Sequence, residues 1–157
     1  MKAVTLKELK NEIITLSQLQ VLDLCMHLAK FKKENKELLS YLLFEAHDEP
    51  SFILKVKDLI TEQFEDLNKK NLYLAKKTIR KVLRTTNKYI KYSGIKQTEV
   101  ELRIFFCGLI KKSGITLTAN TALGNIYQRQ LLKINKALET LHEDLQFDYS
   151  HELKNLL

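Results

Sequence analysis

Seven cations, Lys76, Lys77, Arg80, Lys81, Arg84, Lys88 and Lys91, recur at spacings of one, three and four residues between Tyr73 and Tyr92. At about 100° per residue they gather on one arc of a helix, with Tyr73 among them and Tyr92 at the edge. Leu72, Ala75, Ile79, Val82, Leu83, Thr86 and Ile90 fall on the opposite side. Such an arc has the chemistry of polyanion docking. Regularly spaced cations contact phosphates and release counterions, while marginal tyrosines stack on exposed bases. No Asn, Gln or Arg pattern points to base reading, so the expected target is a nucleic-acid backbone rather than a particular sequence. The same stripe suits an acidic protein surface. The alternative is therefore a protein–protein interaction or scaffold domain with no nucleic-acid role.

Two features bear on that choice. The arc contains no acid, although mixed signs at i,i+4 would favour the helix, and seven like charges repel one another. Against it, Asp58, Glu62, Glu65 and Asp66 lie on the preceding helix, expected antiparallel beside the cationic one, where they would neutralise part of the arc. Glu99 and Glu101 are placed to offset its C-terminal end.

Other constellations are weaker. Glu139 and His142 have the Glu-x-x-His spacing of di-iron bundles, but those need a second such motif and further carboxylates, which are missing. His47, Asp48 and Glu49 resemble acid–base equipment, yet they are adjacent at a helix junction, where capping explains them. The "KKSG" segment at 111–114 has one glycine, after the lysines, and is no phosphate loop. Two Cys and four scattered His do not make a zinc site. Cys25 and Cys107 sit in apolar helical stretches and read as reduced packing residues. No catalytic motif, cofactor or metal is expected.

The elements that would carry these residues are helices. Only four Gly and one Pro punctuate 157 residues, whereas sheets require frequent turns. The spacing predicts about seven helices. They begin with a short one over roughly 4–15 and a second opened by the Ser17–Gln20 capping box, with Leu19, Leu22, Met26 and Ala29 as its buried stripe. The third, "ELLSYLLFEAH", is apolar around much of its circumference and should be buried on more than one side. Asp48 and Pro50 start the fourth, with Phe52, Val56, Leu59, Ile60, Phe64 and Leu67 inward. The fifth is the cationic helix near 71–93, stopped by Gly94.

A sixth helix, capped by Thr98 and Glu101, is nearly surrounded by apolar side chains and should be the most central element, with Gly108 admitting a close neighbour. "SGITLTANT" is a loop or a brief extended stretch. The last helix is expected from about Thr121 to Gln146, the longest of all at about 40 Å, with a leucine seam that packs into the core or, where it overhangs, pairs with a second copy.

The chain should form a single all-helical domain over residues 1–157. Antiparallel helical pairs would either stack as a short solenoid-like, HEAT-like array or close into a compact multi-helix bundle. With 45% hydrophobic residues it has material for a core. The N-terminus lacks a secretory h-region, and the apolar runs are too short to span a bilayer, which predicts a cytoplasmic protein. The formal charge is +7, but ten of the 26 basic residues lie in 69–96 without one acid. The rest of the chain carries 16 basic against 19 acidic groups, so the asymmetry is local.

Overall fold

In the computed structural model of this chain, residues 2–118 and 121–157 are described. They form eight α-helices, one short π-helical segment and no strand. The chain divides into two compact units, Met1–Phe44 and Glu45–Leu157.

The first unit contains α1 (Leu6–Thr15), α2 (Gln18–Phe31) and α3 (Lys33–Ser40), with α3 running into the π-helical turn Tyr41–Glu45. Thr5 and Ser17 cap α1 and α2 through reciprocal boxes with Glu8 and Gln20. Extended backbone at Lys32 (φ −141°) breaks the helix, and α3 packs back on α2. Asn35 Nδ2 donates to the carbonyl oxygen of Leu28 at 2.8 Å across that hairpin.

None of α1, α2 and α3 buries a side chain. The expected α2 stripe is instead open: Leu19, Leu22 and Met26 are 74%, 55% and 45% exposed. The third helix is likewise not buried on several sides, since Leu42, Leu43 and Phe44 are all more than half exposed. A unit of this size has too much surface for its volume to enclose a core unaided.

The second unit holds α4 (Glu49–Glu65), α5 (Leu72–Ser93), α6 (Lys96–Lys112), α7 (Ala122–Leu138) and α8 (Glu143–Lys154). It is a bundle around α6, which packs against each of the other four. Leu102, Phe106, Cys107 and Ile110 are essentially inaccessible, as are Ile60 of α4, Ile79 and Val82 of α5 and Ile134 of α7. Cross-contacts give the directions. Ser93 and Thr98 both donate to Glu49, so α5 returns antiparallel to α4 and α6 restarts beside the head of α4.

Local chemistry sets the ends. Asp48 accepts from the Ser51 amide and Pro50 occupies the first turn of α4, where its missing N–H costs no hydrogen bond. Gly94 ends α5 with φ 68°, a left-handed conformation open to glycine without penalty. The start of α6 differs from expectation. Its N-cap is Ile95, and Thr98 lies inside the helix, buried, with its hydroxyl directed to Glu49 rather than to its own backbone. Gly108 also differs, because a Cβ there would meet nothing within 4 Å. The close approach occurs at Gly124, where a Cβ would stand 2.2 Å from the Thr118 carbonyl oxygen.

The largest departure is at the C-terminus. No helix runs from 121 to 146; α7 stops at Leu138, and α5 with 22 residues is the longest. Thr140 Oγ1 donates to the Ala137 carbonyl, Leu141 N closes a tight turn onto Leu138 O, and His142 turns extended (ψ 149°) as the cap of α8. The turn folds α8 back so that Tyr149, Leu153 and Leu156 become buried, and Tyr127 Oη donates to the Leu156 carbonyl at 2.8 Å. A straight helix would have left those apolar groups in water. Leu123, Leu131, Ile134 and Leu138 are buried in the bundle, so the overhanging seam for a second copy is not formed. Ala119 and Asn120 of the expected loop lie outside the described residues.

Candidate functional site

The cationic arc is carried by α5, a helix positioned by its apolar side. Ala75, Ile79, Val82 and Thr86 are fully buried and Ile90 nearly so. Thr86 contributes no unpaired polar group, since its hydroxyl donates to the Val82 carbonyl at 2.9 Å. Leu83 is half-buried, and Leu72, at the first helical position, is 66% exposed and contributes little to packing. With that side fixed, the opposite one is committed to solvent. Lys77, Arg80, Lys81, Arg84 and Lys91 are exposed, while Lys76 and Lys88 are half-buried.

Two of the tyrosines part company. Tyr73 is 70% exposed, with Lys76 Nζ 5.8 Å from its ring centroid. Tyr92 is buried, edge-on to Tyr89 at 5.7 Å, which in turn packs edge-on against Phe52 of α4 at 6.0 Å. Tyr92 is therefore a packing residue. Lys88 lies over the Tyr89 ring at 4.8 Å and is held against that aromatic cluster.

The acids of α4 leave most of the arc uncovered. Of Asp58, Glu62, Glu65 and Asp66, one meets it among the described residues: Asp66 Oδ2 stands 3.9 Å from Lys81 Nζ, with both side chains more than half exposed. So loose a pair in water contributes little. Asp58, Glu62 and Glu65 are exposed, and Lys77, Arg80, Arg84 and Lys91 make no side-chain hydrogen bond or ion pair among the described residues. Glu99 and Glu101 do not offset the C-terminal end either. Glu99 holds Lys96 and Arg103, and Glu101 holds Lys57 at 2.5 Å.

The sequence reading missed a buried polar tie beneath this helix. Arg103, 5% exposed in the central helix, donates from Nε and Nη2 to Glu99 Oε1 (3.0 and 2.9 Å). Its Nη1 donates to Asn87 Oδ1 of α5 at 3.0 Å and to Gln130 Oε1 of α7 at 2.6 Å. One guanidinium thus fastens three helices, and its planar fork suits that task better than a lysine would. Burial alone would raise the pKa of Glu99. Hydrogen bonds from Lys96 and Arg103, with their charges, outweigh it and hold the carboxyl below its ordinary value. The one signal in the sequence was the i,i+4 spacing of Glu99 and Arg103 within an apolar run.

The remaining candidates are dispersed or structural. Glu139 caps the end of α7 and His142 the start of α8, so the turn removes the shared helical face their spacing implied. His142 Nδ1 accepts from the Asp144 amide at 3.4 Å and is an exposed cap. Of His47, Asp48 and Glu49, Asp48 caps α4, and its carboxyl is lowered by the hydrogen bonds from Ser51. Glu49 instead ties α4 to Ser93 and Thr98. Cys107 is buried, which pushes its thiol up to about 12, whereas Cys25 is exposed. Among the described residues no group of three or more His, Cys, Asp or Glu is placed to hold a metal ion, and no helix is long and apolar enough to cross a membrane. Comparison with protein-family models, with curated proteins and with solved structures gave no significant match.

Proposed function

We propose that this all-helical protein is a binding module that docks a nucleic-acid backbone along the exposed face of α5. The observation that carries the reading is the set of cations, Lys77, Arg80, Arg84 and Lys91, that are exposed and have no anionic partner among the described residues. From Lys77 to Lys91 the helix rises about 21 Å, the length of roughly six phosphates of one strand. Rigid burial of the other side fixes the helix backbone and so the spacing of the cations, leaving the rotamer freedom of the long side chains as the ordering cost of binding. Exposed Tyr73 at the head of the arc favours nucleic acid over an acidic protein, because it offers a base a ring to stack on.

The test is fluorescence anisotropy with generic single-stranded and duplex oligonucleotides over a salt series. Affinity is expected to fall steeply, with a log–log slope of roughly −3 to −4 for four or five phosphate contacts. Reversal of Arg80, Lys81 and Arg84 to Glu should abolish binding with the thermal midpoint little changed. Tyr73→Ala should weaken single-stranded binding about tenfold and leave poly-glutamate binding unchanged. No binding of either oligonucleotide at low salt would eliminate the reading. Binding of poly-glutamate as tightly as of oligonucleotide, indifferent to Tyr73, would transfer the face to an acidic protein partner.

A further inference from the structure

The two flanks of α5 differ. Towards α4, Lys81 meets Asp66 and Lys88 lies over Tyr89, which packs against Phe52. The other flank is marked by Asn87, and at about 100° per residue Arg80, Arg84 and Lys91 lie within about 60° of it. Asn87 meets α7 through Arg103, whose Nη1 donates both to Asn87 Oδ1 at 3.0 Å and to Gln130 Oε1 at 2.6 Å. Gln130 in turn borders a second cationic stripe. Arg129, Lys133 and Lys136 are all exposed and make no ion pair among the described residues. They lie within about 60° of one another. From Ala122 to Leu138 α7 carries no acid, just as α5 carries none.

Resting on the reading of α5 above, we infer that the furrow between α5 and α7 seats a single-stranded nucleic-acid backbone, with Arg129, Lys133 and Lys136 as its second wall. Direction and level support this. From the shared contact of Ser93 and Thr98 with Glu49 to the Asn87–Arg103 bond, α5 runs back as α6 runs forward. The Tyr127 hydroxyl lies near the Cys107 thiol and Gln130 meets Arg103, so α7 also runs against α6. The two walls are therefore parallel, with Asn87 level with Gln130. Arg84 and Lys91 on one wall and the three cations on the other then fall within about 14 Å along the axis, the length of about four phosphates of one strand. Charge supports it too. Glu99, the acid beneath the furrow, is spent on Lys96 and Arg103. Because Arg103 takes both amide oxygens, the amide N–H groups of Asn87 and Gln130 are left as donors, and neither finds an acceptor among the described residues. Width selects the single strand. Both walls pack on α6, at about 8–10 Å each, so the space between them admits one backbone and not the paired strands of a duplex.

Fluorescence anisotropy with a single-stranded oligonucleotide and its duplex, over a salt series, tests this. The second wall adds about 2 to the log–log salt slope that α5 gives alone. Arg129→Gln with Lys133→Gln and Lys136→Gln should remove that increment and weaken single-stranded binding about 30-fold, with duplex binding changed by less than about threefold. Lys30→Gln with Lys32→Gln and Lys36→Gln removes the same charge from exposed positions of Met1–Phe44 and should leave both affinities as they are. None of the six is buried, so circular dichroism melts of both variants should match the wild type. Acetylation read by mass spectrometry needs no variant: bound strand should protect Lys133 and Lys136 and leave Lys30 and Lys36 reactive. Binding that persists in the α7 variant with its slope unchanged, while the α5 reversal abolishes it, overturns this inference and leaves the reading of α5 standing. Equal losses in the two triple variants, or equal losses of duplex and single strand, overturn it as well. A wild type that binds no oligonucleotide at low salt removes both.

Discussion

Met1–Phe44 and Glu45–Leu157 use the same kind of amphipathic helix to opposite ends. In the longer unit four helices surround α6, and 25 apolar side chains are buried. In the shorter one Tyr41 alone is buried among the described apolar residues, while fourteen large ones stand exposed. Capping is as good in α1 and α2 as anywhere in the bundle, with both reciprocal boxes formed. Local signals therefore do not distinguish the two units. What separates them is the number of neighbours available to cover an apolar stripe. Helix formation and core formation are different events, and only the second contributes most of the stability.

The sharpest way to break the comparison is through the two thiols. In dilute solution near pH 8, Cys25 should react with maleimide at the rate of an accessible thiol, and Cys107 should be slower by about 10³-fold or more. Burial raises the Cys107 pKa to about 12, leaving almost no thiolate below that pH. Equal rates would mean that the bundle core is not closed. Next in size is a pair of truncations, read by urea denaturation. Phe106→Ala removes a fully buried ring from α6 and should cost about 3–5 kcal/mol. Phe31→Ala, from a side chain 70% exposed, should change the stability of the single chain by under about 0.5 kcal/mol.

A smaller effect probes the polar tie of the bundle. Glu99→Gln removes the charge that Arg103 faces and should cost about 2 kcal/mol at pH 7. Because the folded carboxyl titrates below its ordinary 4.5, its contribution is full above that value and disappears as pH falls through the folded pKa. Urea midpoints of wild type and variant should therefore converge as pH falls below 4.5 through the folded pKa; a constant gap would contradict the assignment. The last pair locates tight packing inside the bundle. Gly124→Ala should destabilise by about 1–3 kcal/mol, because its Cβ would overlap the Thr118 carbonyl. Gly108→Ala should stabilise by about 0.5–1 kcal/mol, since the methyl meets open space and helix propensity improves. Thermal midpoints distinguish the two signs.

Much of the bundle was legible because its signals are local. Asp48–Pro50 and Gly94 mark the ends of α4 and α5, and the 3.6-residue period sorts α5 into its two sides. The same period named α6 as the central helix from its nearly uniform apolar surface. It misled at α7 and α8, where leucines spaced by three and four cross a turn that breaks the helix. A stripe shows that residues will be buried, and a straight helix and a folded-back pair satisfy it equally. It misled again at Leu19, Leu22 and Met26, where an ideal stripe has nothing in its unit to cover it. Tyr92 and Tyr73 look alike in sequence, and only the nearby ring of Tyr89 distinguishes them.

By itself, then, the sequence determined that this chain is helical, where α4 and α5 begin or end, and which residues of α5 point away from its apolar side. Caps, glycine punctuation and periodicity act over a few residues, so they can be read without knowing any neighbour. The tertiary structure decided whether the cations are covered, which stripes find a partner, and that Arg103 joins three helices. Those outcomes depend on residues 16 to 49 positions apart in sequence coming within 3 Å or so, as Arg103 does with Asn87 and Thr98 with Glu49. Such meetings follow from how helices pack around α6, and no local pattern encodes them.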